Sequence, residues 1–355
     1  MNCLSWKNYL VFCLCLLTAC NRFKHQLPEA TGDLGTLVLV TDAKTDQQLK
    51  PQIEACFLKP VEHLPTAEPF FEVKHCLPET FYKHFSTHRV ILALVSADQM
   101  EAYADMLEGM DESAIQSAIQ SPDAKILSNR NVFAKYQHIV FLFGKDASDL
   151  QRKLIQAKTP LSTALMQFEI KNQHDELFAD TAACMANFNS IKQNFGIGVK
   201  IPKAFVLKYH NQKTYWYELS TTENNTPKTI GLIIHVYPYT NLNALTYESI
   251  RTVRDTVMKH VVKGELPGTY MGTSSSTQYP TASIETIQVN GRLTKKVRGW
   301  WTIRGLSQAG PFIRYVVLDE PKQQLFAFEG FVYKPNIETK ERDLRLIESI
   351  ALSIE

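Results

Sequence analysis

Ile230-Gly-Leu-Ile-Ile-His-Val-Tyr-Pro-Tyr239 gives the strongest strand signal in the chain. Its side chains alternate between two faces, with Ile230, Leu232, Ile234 and Val236 on one and Ile233, His235, Tyr237 and Tyr239 on the other. This run of apolar and β-branched residues predicts a strong strand, and we expect helices to cover the sheet to which it belongs.

More strands and two helices accompany this strand in the second half of the chain. We predict strands at Phe205–Tyr209, Tyr215–Leu219, Ser283–Val289, Leu293–Arg304, Ile313–Leu318 and Leu325–Tyr333. Asn290-Gly291 is a favoured two-residue hairpin turn. Helices are expected at Tyr247–Val261 and Thr339–Ile354. In the first, we expect Ile250, Val253, Val257 and Val261 to form the apolar stripe, with Arg251, Arg254, Asp255 and Lys259 largely off it.

The first half alternates buried strands with helices. Strands are expected at Thr36–Val40, Arg89–Val95 and Ile139–Phe143, and helices at Asp46–Leu58 and Glu112–Ile119. Residues 146–195 have helical composition, which we expect to break at Pro160. The predicted fold class is α/β, with an N-terminal half at 36–195 and a strand-rich C-terminal half at 196–355. We expect largely antiparallel sheets covered by helices, and a helical segment that joins the halves.

The N-terminus has the pattern of a lipoprotein signal peptide at residues 1–19. Lys7 precedes an apolar run from Tyr9 to Leu17, which is too short to cross a bilayer. Leu17-Thr-Ala-Cys20 then supplies small residues before a cysteine that could carry acyl chains such as palmitate. An ordinary cleaved signal, or an anchor that is not cleaved, is the alternative. Two or three acyl chains on Cys20 would hold the protein on a membrane.

Residues 20–35 read as a flexible tether between this anchor and the folded body. They are polar and contain Pro28, Gly32 and Gly35. No acidic cluster follows Cys20, so a periplasm-facing position is the simpler expectation, with the outer membrane favoured and the inner membrane left open.

Composition excludes several classes of function. The 355 residues include 38 Lys plus Arg and 36 Asp plus Glu, a net charge of +2 that gives no global attraction for nucleic acid.

After removal of the signal and modification of Cys20, three cysteines remain: Cys56, Cys76 and Cys184. A Cys56–Cys76 bridge and three free buried thiols both stay open.

A series of short motifs resembles one family. The motifs are His235-Val-Tyr-Pro-Tyr-Thr-Asn241, Val253-Arg-Asp255, Gly268-Thr-Tyr-Met-Gly272, Arg298-Gly-Trp-Trp301, Gly310-Pro-Phe312, Gly330-Phe-Val-Tyr-Lys-Pro335 and, in the first half, Glu68-Pro-Phe-Phe-Glu-Val73. In this order they resemble an uncharacterised bacterial envelope-lipoprotein family, domain of unknown function forty-eight thirty-seven. Trp300 and Ala309 depart from the family's pattern. The resemblance implies a lipoprotein with a paired α/β body and carries over no catalytic residue.

The strand at 293–304 carries a candidate binding face. Alternation places Lys296, Arg298, Trp300 and Arg304 on one side, and we expect Tyr237 and Tyr239 to line a groove nearby. Basic and aromatic groups in this pattern suit an anionic envelope polymer. The competing interpretation is a solvated sheet face with Trp300 packed under a loop or helix.

Other motifs point away from metal, nucleotide and serine-hydrolase chemistry. His75, Cys76, His84 and His88 form a weak metal-ligand pattern beside Pro78, so no metal is expected. Thr273-Ser-Ser-Ser-Thr277 lacks the Gly-x-Ser-x-Gly context and predicts a polar loop. No phosphate-binding glycine motif is present, and no cofactor is expected.

The sequence therefore predicts a non-catalytic binding or assembly factor of the cell envelope. Its expected partners are the membrane, through the lipid, and an envelope glycan or protein. The alternative is a hydrolase or transferase that acts on envelope glycan or lipid, which requires a concave pocket with a buried, perturbed acid or base. A pure protein scaffold is a third alternative.

Overall fold

The computed structural model describes residues 27–355, apart from 59, 61–63, 65–67, 224 and 336–339. The predicted signal peptide, Cys20 and the start of the tether lie outside the described residues. Within them, no helix has the length and apolarity needed to cross a bilayer.

The first half is built on a five-stranded mixed sheet. Its strands are β1 (Thr36–Val40), β2 (Glu72–Cys76), β3 (Val90–Ser96), β4 (Ile126–Arg130) and β5 (His138–Gly144), in the order β2-β1-β3-β5-β4. The pairs β1–β2, β1–β3 and β3–β5 are parallel, whereas β4 runs antiparallel to β5. The predicted α/β class with two halves is confirmed. The expected antiparallel pairing holds for the second sheet, whereas three of the four strand pairs in the first sheet are parallel, because helical crossovers connect their strands.

Helices cover both faces of this sheet. One face packs against α1 (Ala43–Phe57) and α4 (Ala147–Leu177), and the other against α2 (Pro78–His84), a 3-10 helix (Ala97–Leu107) and α3 (Glu112–Gln120). Every residue of β1, β3 and β5 is buried, which explains their continuous apolar runs. The edge strands β2 and β4 are largely polar and give no such signal.

The predicted helix break at Pro160 is wrong. Helix α4 continues through Pro160 to Leu177, and the chain breaks only before α5 (Ala182–Phe195). Pro160 is exposed, so water can solvate the carbonyl that loses its helical partner. On the opposite side, Ala157, Leu161 and Leu165 stay buried against the first sheet and hold the helix together.

The second half is built on an antiparallel sheet. Its strands are β6 (Val206–Asn211), β7 (Thr214–Glu223), β8 (Thr226–Pro238), β9 (Tyr270–Thr273), β10 (Ser283–Val289), β11 (Arg292–Arg304), β12 (Ala309–Asp319) and β13 (Gln324–Tyr333). The order is β10-β11-β12-β13-β8-β7-β6, and β9 pairs with β11 beyond the end of β10. Asn290 and Gly291 both have positive φ and close the β10–β11 hairpin, as predicted.

Two hydrophobic layers cover the second sheet, and the predicted alternation along β8 is confirmed. Ile230, Leu232 and Ile234 pack with α5 and α7 (Lys340–Ala351), whereas Ile233 packs with α6 (Tyr247–Val261). The predicted stripe of α6 needs correction. Its buried residues are Ile250, Arg254, Met258 and Val261, so a charged side chain lies in the middle of the apolar face.

Helix α5 packs on the second sheet, and α4 packs against α7 of the second half. Four charged residues are buried at this contact: Glu68, Glu169, Glu341 and Arg345, which we call the inter-half cluster. Arg345 contacts Glu169 at 3.5 Å and binds Glu341 through two nitrogen atoms. Ser349 of α7 donates to the Gln173 side chain of α4 at 2.9 Å. The junction is therefore a packed, polar helix pair.

The three described cysteines are free and buried. Cys56 packs on one face of the first sheet and Cys76 on the other. The sheet therefore separates the two thiols that sequence spacing left as bridge candidates. Burial also raises the pKa of Cys56 to about 11, so this thiol is unreactive at neutral pH.

Candidate functional site

A cavity of about 310 Å³ opens at the loop between β9 and β10. Eight of its eleven lining residues carry a hydroxyl group, namely Tyr247, Thr273, Ser274, Ser275, Ser276, Thr277, Tyr279 and Thr281. Pro280, Ala282 and Trp300 complete the lining, which contains no charged side chain. We call this cavity the hydroxyl pocket.

The serines themselves fold the loop. The Ser276 amide donates to the Ser274 hydroxyl, and the Gln278 amide donates to the Ser276 hydroxyl, both at 3.2 Å. Short side chains that accept from an amide two residues later stabilise tight turns. The Ser274 amide donates to the Trp300 carbonyl at 2.7 Å and fixes the loop to β11. The run that predicted a polar loop therefore forms one wall of a cavity.

An aromatic pair forms another wall. The Tyr279 and Trp300 rings stack with centroids 4.6 Å apart and planes 2° from parallel. Trp300 is only 5% exposed, whereas Tyr279 is half-buried. Tyr279 is thus the aromatic side chain of the pair that a ligand can reach, and Trp300 supports it from below.

A half-buried acidic group, with a side chain that is 21% exposed, holds the start of the loop. The Thr273 amide and hydroxyl both donate to Asp255 Oδ1 at 2.7 Å. Arg254 Nη1 donates to the same hydroxyl at 3.0 Å. The single proton of the Thr273 hydroxyl goes to Asp255, and one of its two lone pairs accepts from Arg254. Thr273 is consequently a structural part of the pocket floor.

Arg254 belongs to a larger charged network between α6 and the sheet. Glu329 accepts from Arg254 at 2.7–3.0 Å and from Arg314 Nη1 at 3.0 Å, and all three side chains are at most 1% exposed. Arg314 Nη2 donates to His235 Nε2 at 2.7 Å. We call these four residues the core network. One carboxylate pairs with two arginines in the absence of solvent, which makes Glu329 the central residue of the network.

His235 has to be neutral in this setting. Burial, with a further contribution from Arg314, holds its pKa well below the usual range. Arginine can only donate, so Nε2 accepts and the ring proton resides on Nδ1. His235 and Glu329 are both covered, and the network they form supports the fold beneath the pocket.

The residues of the predicted basic face occupy different environments. Lys296 and Arg298 each lie 2.6 Å from Glu348 of α7, and Lys296 also lies 3.4 Å from Glu285. Burial raises the pKa of Glu348, but the neighbouring Arg298 and Lys296 outweigh this effect and hold the pKa below its usual range. Both cations are therefore engaged within the fold.

The remaining members of that face are dispersed. Trp300 packs on the α7 side of the sheet, whereas Tyr237 and Tyr239 pack on the α6 side. Arg304 is exposed and lies 3.9 Å from Asp255. The structure does not bring the six residues together on one exposed face, and Trp300 lies under a loop, as the competing interpretation expected.

The histidines of the first half are also separated. His75 contacts Asp46 at 2.8 Å, His84 ends α2, and His88 is buried with a pKa lowered by burial to about 4. Among the described residues, no group of three or more His, Cys, Asp or Glu is arranged to hold a metal ion.

Comparison with known families divides the chain into two parts. Residues 185–353 match a family described as Domain of unknown function (DUF4837), the family that the motifs between His235 and Pro335 indicated, whereas the Glu68–Val73 motif lies outside this range. Residues 30–178 match a second family, described as Domain of unknown function (DUF8532). No curated protein matches the chain.

Two solved structures show a distant likeness to this chain. Mog1p, a Ran-binding protein of Saccharomyces cerevisiae, is 10% identical, with a TM-score of 0.30 over 45% of this chain and 91% of its own. A point mutant of Mog1 gives the same identity and TM-score over 45% of this chain and 89% of its own.

Proposed function

With residues 185–353 matched to the DUF4837 family, we propose from the geometry of this half that the protein is a non-catalytic saccharide-binding lipoprotein of the bacterial cell envelope. The hydroxyl pocket is the observation that carries the proposal. Hydroxyl groups both donate and accept, as sugar hydroxyls do, and the uncharged lining suits a neutral sugar. Tyr279 offers an aromatic surface on which a sugar ring can pack.

The burial of the acidic groups supports binding over catalysis. A hydrolase or transferase needs a general acid or base within hydrogen-bonding reach of its substrate. Glu169 and Glu329 have fully buried side chains and that of Glu341 is 6% exposed, so packed residues separate all three from solvent. The hydroxyl pocket itself has no carboxylate in its lining.

Tyr279→Ala is expected to weaken saccharide binding about tenfold, which corresponds to ~1.4 kcal/mol. The measurement is isothermal titration of the mature chain with an N-acetylglucosamine tetramer and with soluble glycan fragments of the cell wall. Ser275→Ala combined with Thr277→Ala tests the hydroxyl groups without removing the aromatic pair. Tyr209→Ala is the matched control, because Tyr209 is 39% exposed on β6, at the opposite edge of the sheet.

Wild-type affinity retained in both pocket variants would place the site elsewhere. Absence of binding to every glycan would remove the proposed function. Equal melting temperatures of the variants and wild type would exclude misfolding as the cause of a loss.

Membrane attachment is tested separately at Cys20. Material extracted from native membranes should have an N-terminus at Cys20 and an intact mass increased by a diacylglyceryl group, with or without an amide-linked acyl chain. Cys20→Ser should leave the leader attached and the mass unmodified. An unmodified Cys20 in the wild type would contradict the lipid anchor. The anchor is expected because Leu17-Thr-Ala-Cys20 follows a run too short to span.

A further inference from the structure

A second cavity of about 420 Å³ shares Tyr247 with the hydroxyl pocket and has the opposite chemistry. Its lining includes Leu242, Leu245, Ile284 and Leu293, and its charged residue is Lys295. We call it the apolar groove. It lies between the short 3-10 helix before α6, Leu242–Leu245, and the β10–β11 hairpin.

The apolar groove is held open by defined local structure. The Asn241 side chain accepts from the Asn243 amide at 2.9 Å and begins the 3-10 helix, which leaves Leu242 74% exposed. Across the groove, Ile284 and Leu293 are each 38% exposed. Ile284 pairs with Val297, so both side chains lie on the α6 face of the sheet. Apolar side chains gathered in one exposed groove mark a binding surface.

Continuity with the hydroxyl pocket indicates what kind of molecule fills the groove. Tyr247 is the first residue of α6 and lines both cavities, so the two cavities adjoin at this side chain. The Lys295 ammonium donates to Thr286 Oγ1 at 2.6 Å and has two further protons for a ligand oxygen. The groove therefore favours a neutral or anionic molecule over a cationic one.

We propose that the ligand is a glycolipid, with its sugar in the hydroxyl pocket and its hydrocarbon chain along the apolar groove. This inference rests on the proposed saccharide-binding function and names the class of saccharide. The hydroxyl groups of the sugar would then face the hydroxyl groups of the pocket. The methylene groups of the hydrocarbon chain would face Leu242, Ile284 and Leu293. A protein partner on the groove is the competing occupant, and the experiment below separates the two.

The test compares methyl and octyl glycosides of one sugar, below the micelle concentration, on the mature chain. We expect the octyl compound to bind at least tenfold more tightly, a gain that burial of about two of its added methylene groups would supply. Ile284→Ser combined with Leu293→Ser should abolish the gain and leave methyl glycoside affinity unchanged. Tyr279→Ala should weaken both compounds. Ile155→Ser, at a position 58% exposed on α4, is the matched control and should change neither.

Each result has a distinct meaning. Equal affinity for the methyl and octyl compounds overturns the glycolipid inference and leaves saccharide binding intact, whereas binding of neither removes the proposed function as well. A gain that survives in the Ile284→Ser, Leu293→Ser variant places the chain elsewhere and overturns the inference. Equal binding of an octyl compound without a sugar identifies a general apolar docking surface, which also overturns it.

Discussion

Glu329→Ala is expected to lower the free energy of unfolding by about 3–5 kcal/mol, the range found when one partner of a buried ion pair is removed. The variant leaves Arg254 and Arg314 buried with no carboxylate between them. Arg314 then loses the carboxylate that it faces, and Arg254 keeps its longer contact with Asp255 at 3.4 Å. The change also loosens the attachment of Thr273, because Arg254 donates to its hydroxyl. Urea denaturation of the mature chain at neutral pH measures the loss.

Glu248→Ala is the matched control for this prediction. Glu248 pairs with Arg251 on the exposed side of the same helix, where the carboxylate is 70% exposed, and such pairs contribute at most about 1 kcal/mol. The loss of stability in Glu329→Gln should lie between the losses in Glu329→Ala and Glu248→Ala, because the amide oxygen still accepts hydrogen bonds but carries no charge. A similar small loss for Glu329→Ala and Glu248→Ala would show that the core network is not what secures α6.

Glu341→Gln is expected to change how stability depends on pH. Burial raises the pKa of Glu341 from 4.5 to about 7, with Arg345 partly offsetting it and Glu348 and Glu68 adding to it. Glu169 from α4 faces the same arginine, and burial raises its pKa as well.

The direction of this pH dependence is set by the number of protons that the folded and the unfolded chain bind. Between about pH 4.5 and 7 the folded chain retains a proton on Glu341 that the unfolded chain has lost, so the contribution of this residue to stability falls as pH rises. The fall amounts to about 3 kcal/mol, at about 1.4 kcal/mol for each pKa unit. Glutamine does not titrate, so the wild type should become less stable relative to Glu341→Gln across this range.

The quantity to measure is the difference in the free energy of unfolding between the wild type and Glu341→Gln. Burial lowers the pKa of His88 and His138 to about 4, which makes the stability of the whole chain rise with pH in an overlapping range. Both histidines are present in the wild type and in the variant, so their effect cancels. Urea denaturation of the wild type and of Glu341→Gln at pH 5 and pH 7.5 supplies the four values, and Glu248→Gln at the same two pH values is the control. An unchanged difference would contradict a protonated Glu341 at the junction.

Residue patterns predicted the central elements of both sheets because those elements are buried uniformly. β1, β3, β5 and β8 have apolar runs that no exposed element would carry. The edge strands β2 and β4 show mostly polar residues, and their strand character comes from the neighbours with which they pair. Pro160 led to the prediction of a helix break, whereas tertiary packing on the helix face opposite Pro160 keeps the helix continuous.

The same physics explains which parts of the site were missed. A hydrophobic pattern assigns every arginine to solvent, so Arg254 was placed off the buried stripe although its partner, Glu329, interrupts an otherwise apolar strand. That interruption was the available signal. The Thr273–Thr277 run was visible as a polar loop. Its closeness to Tyr247 and Tyr279 depends on how β9, α6 and β11 meet, which local sequence does not encode.

Helix α4 has a mechanical consequence for the whole protein. Its 31 residues form a rod about 46 Å long that packs on the first sheet near its start and on α7 towards its end. Relative rotation of the two bodies must therefore break a helix pair with charged groups inside it, rather than bend a connector. A force applied at either end of α4 therefore displaces the whole helix.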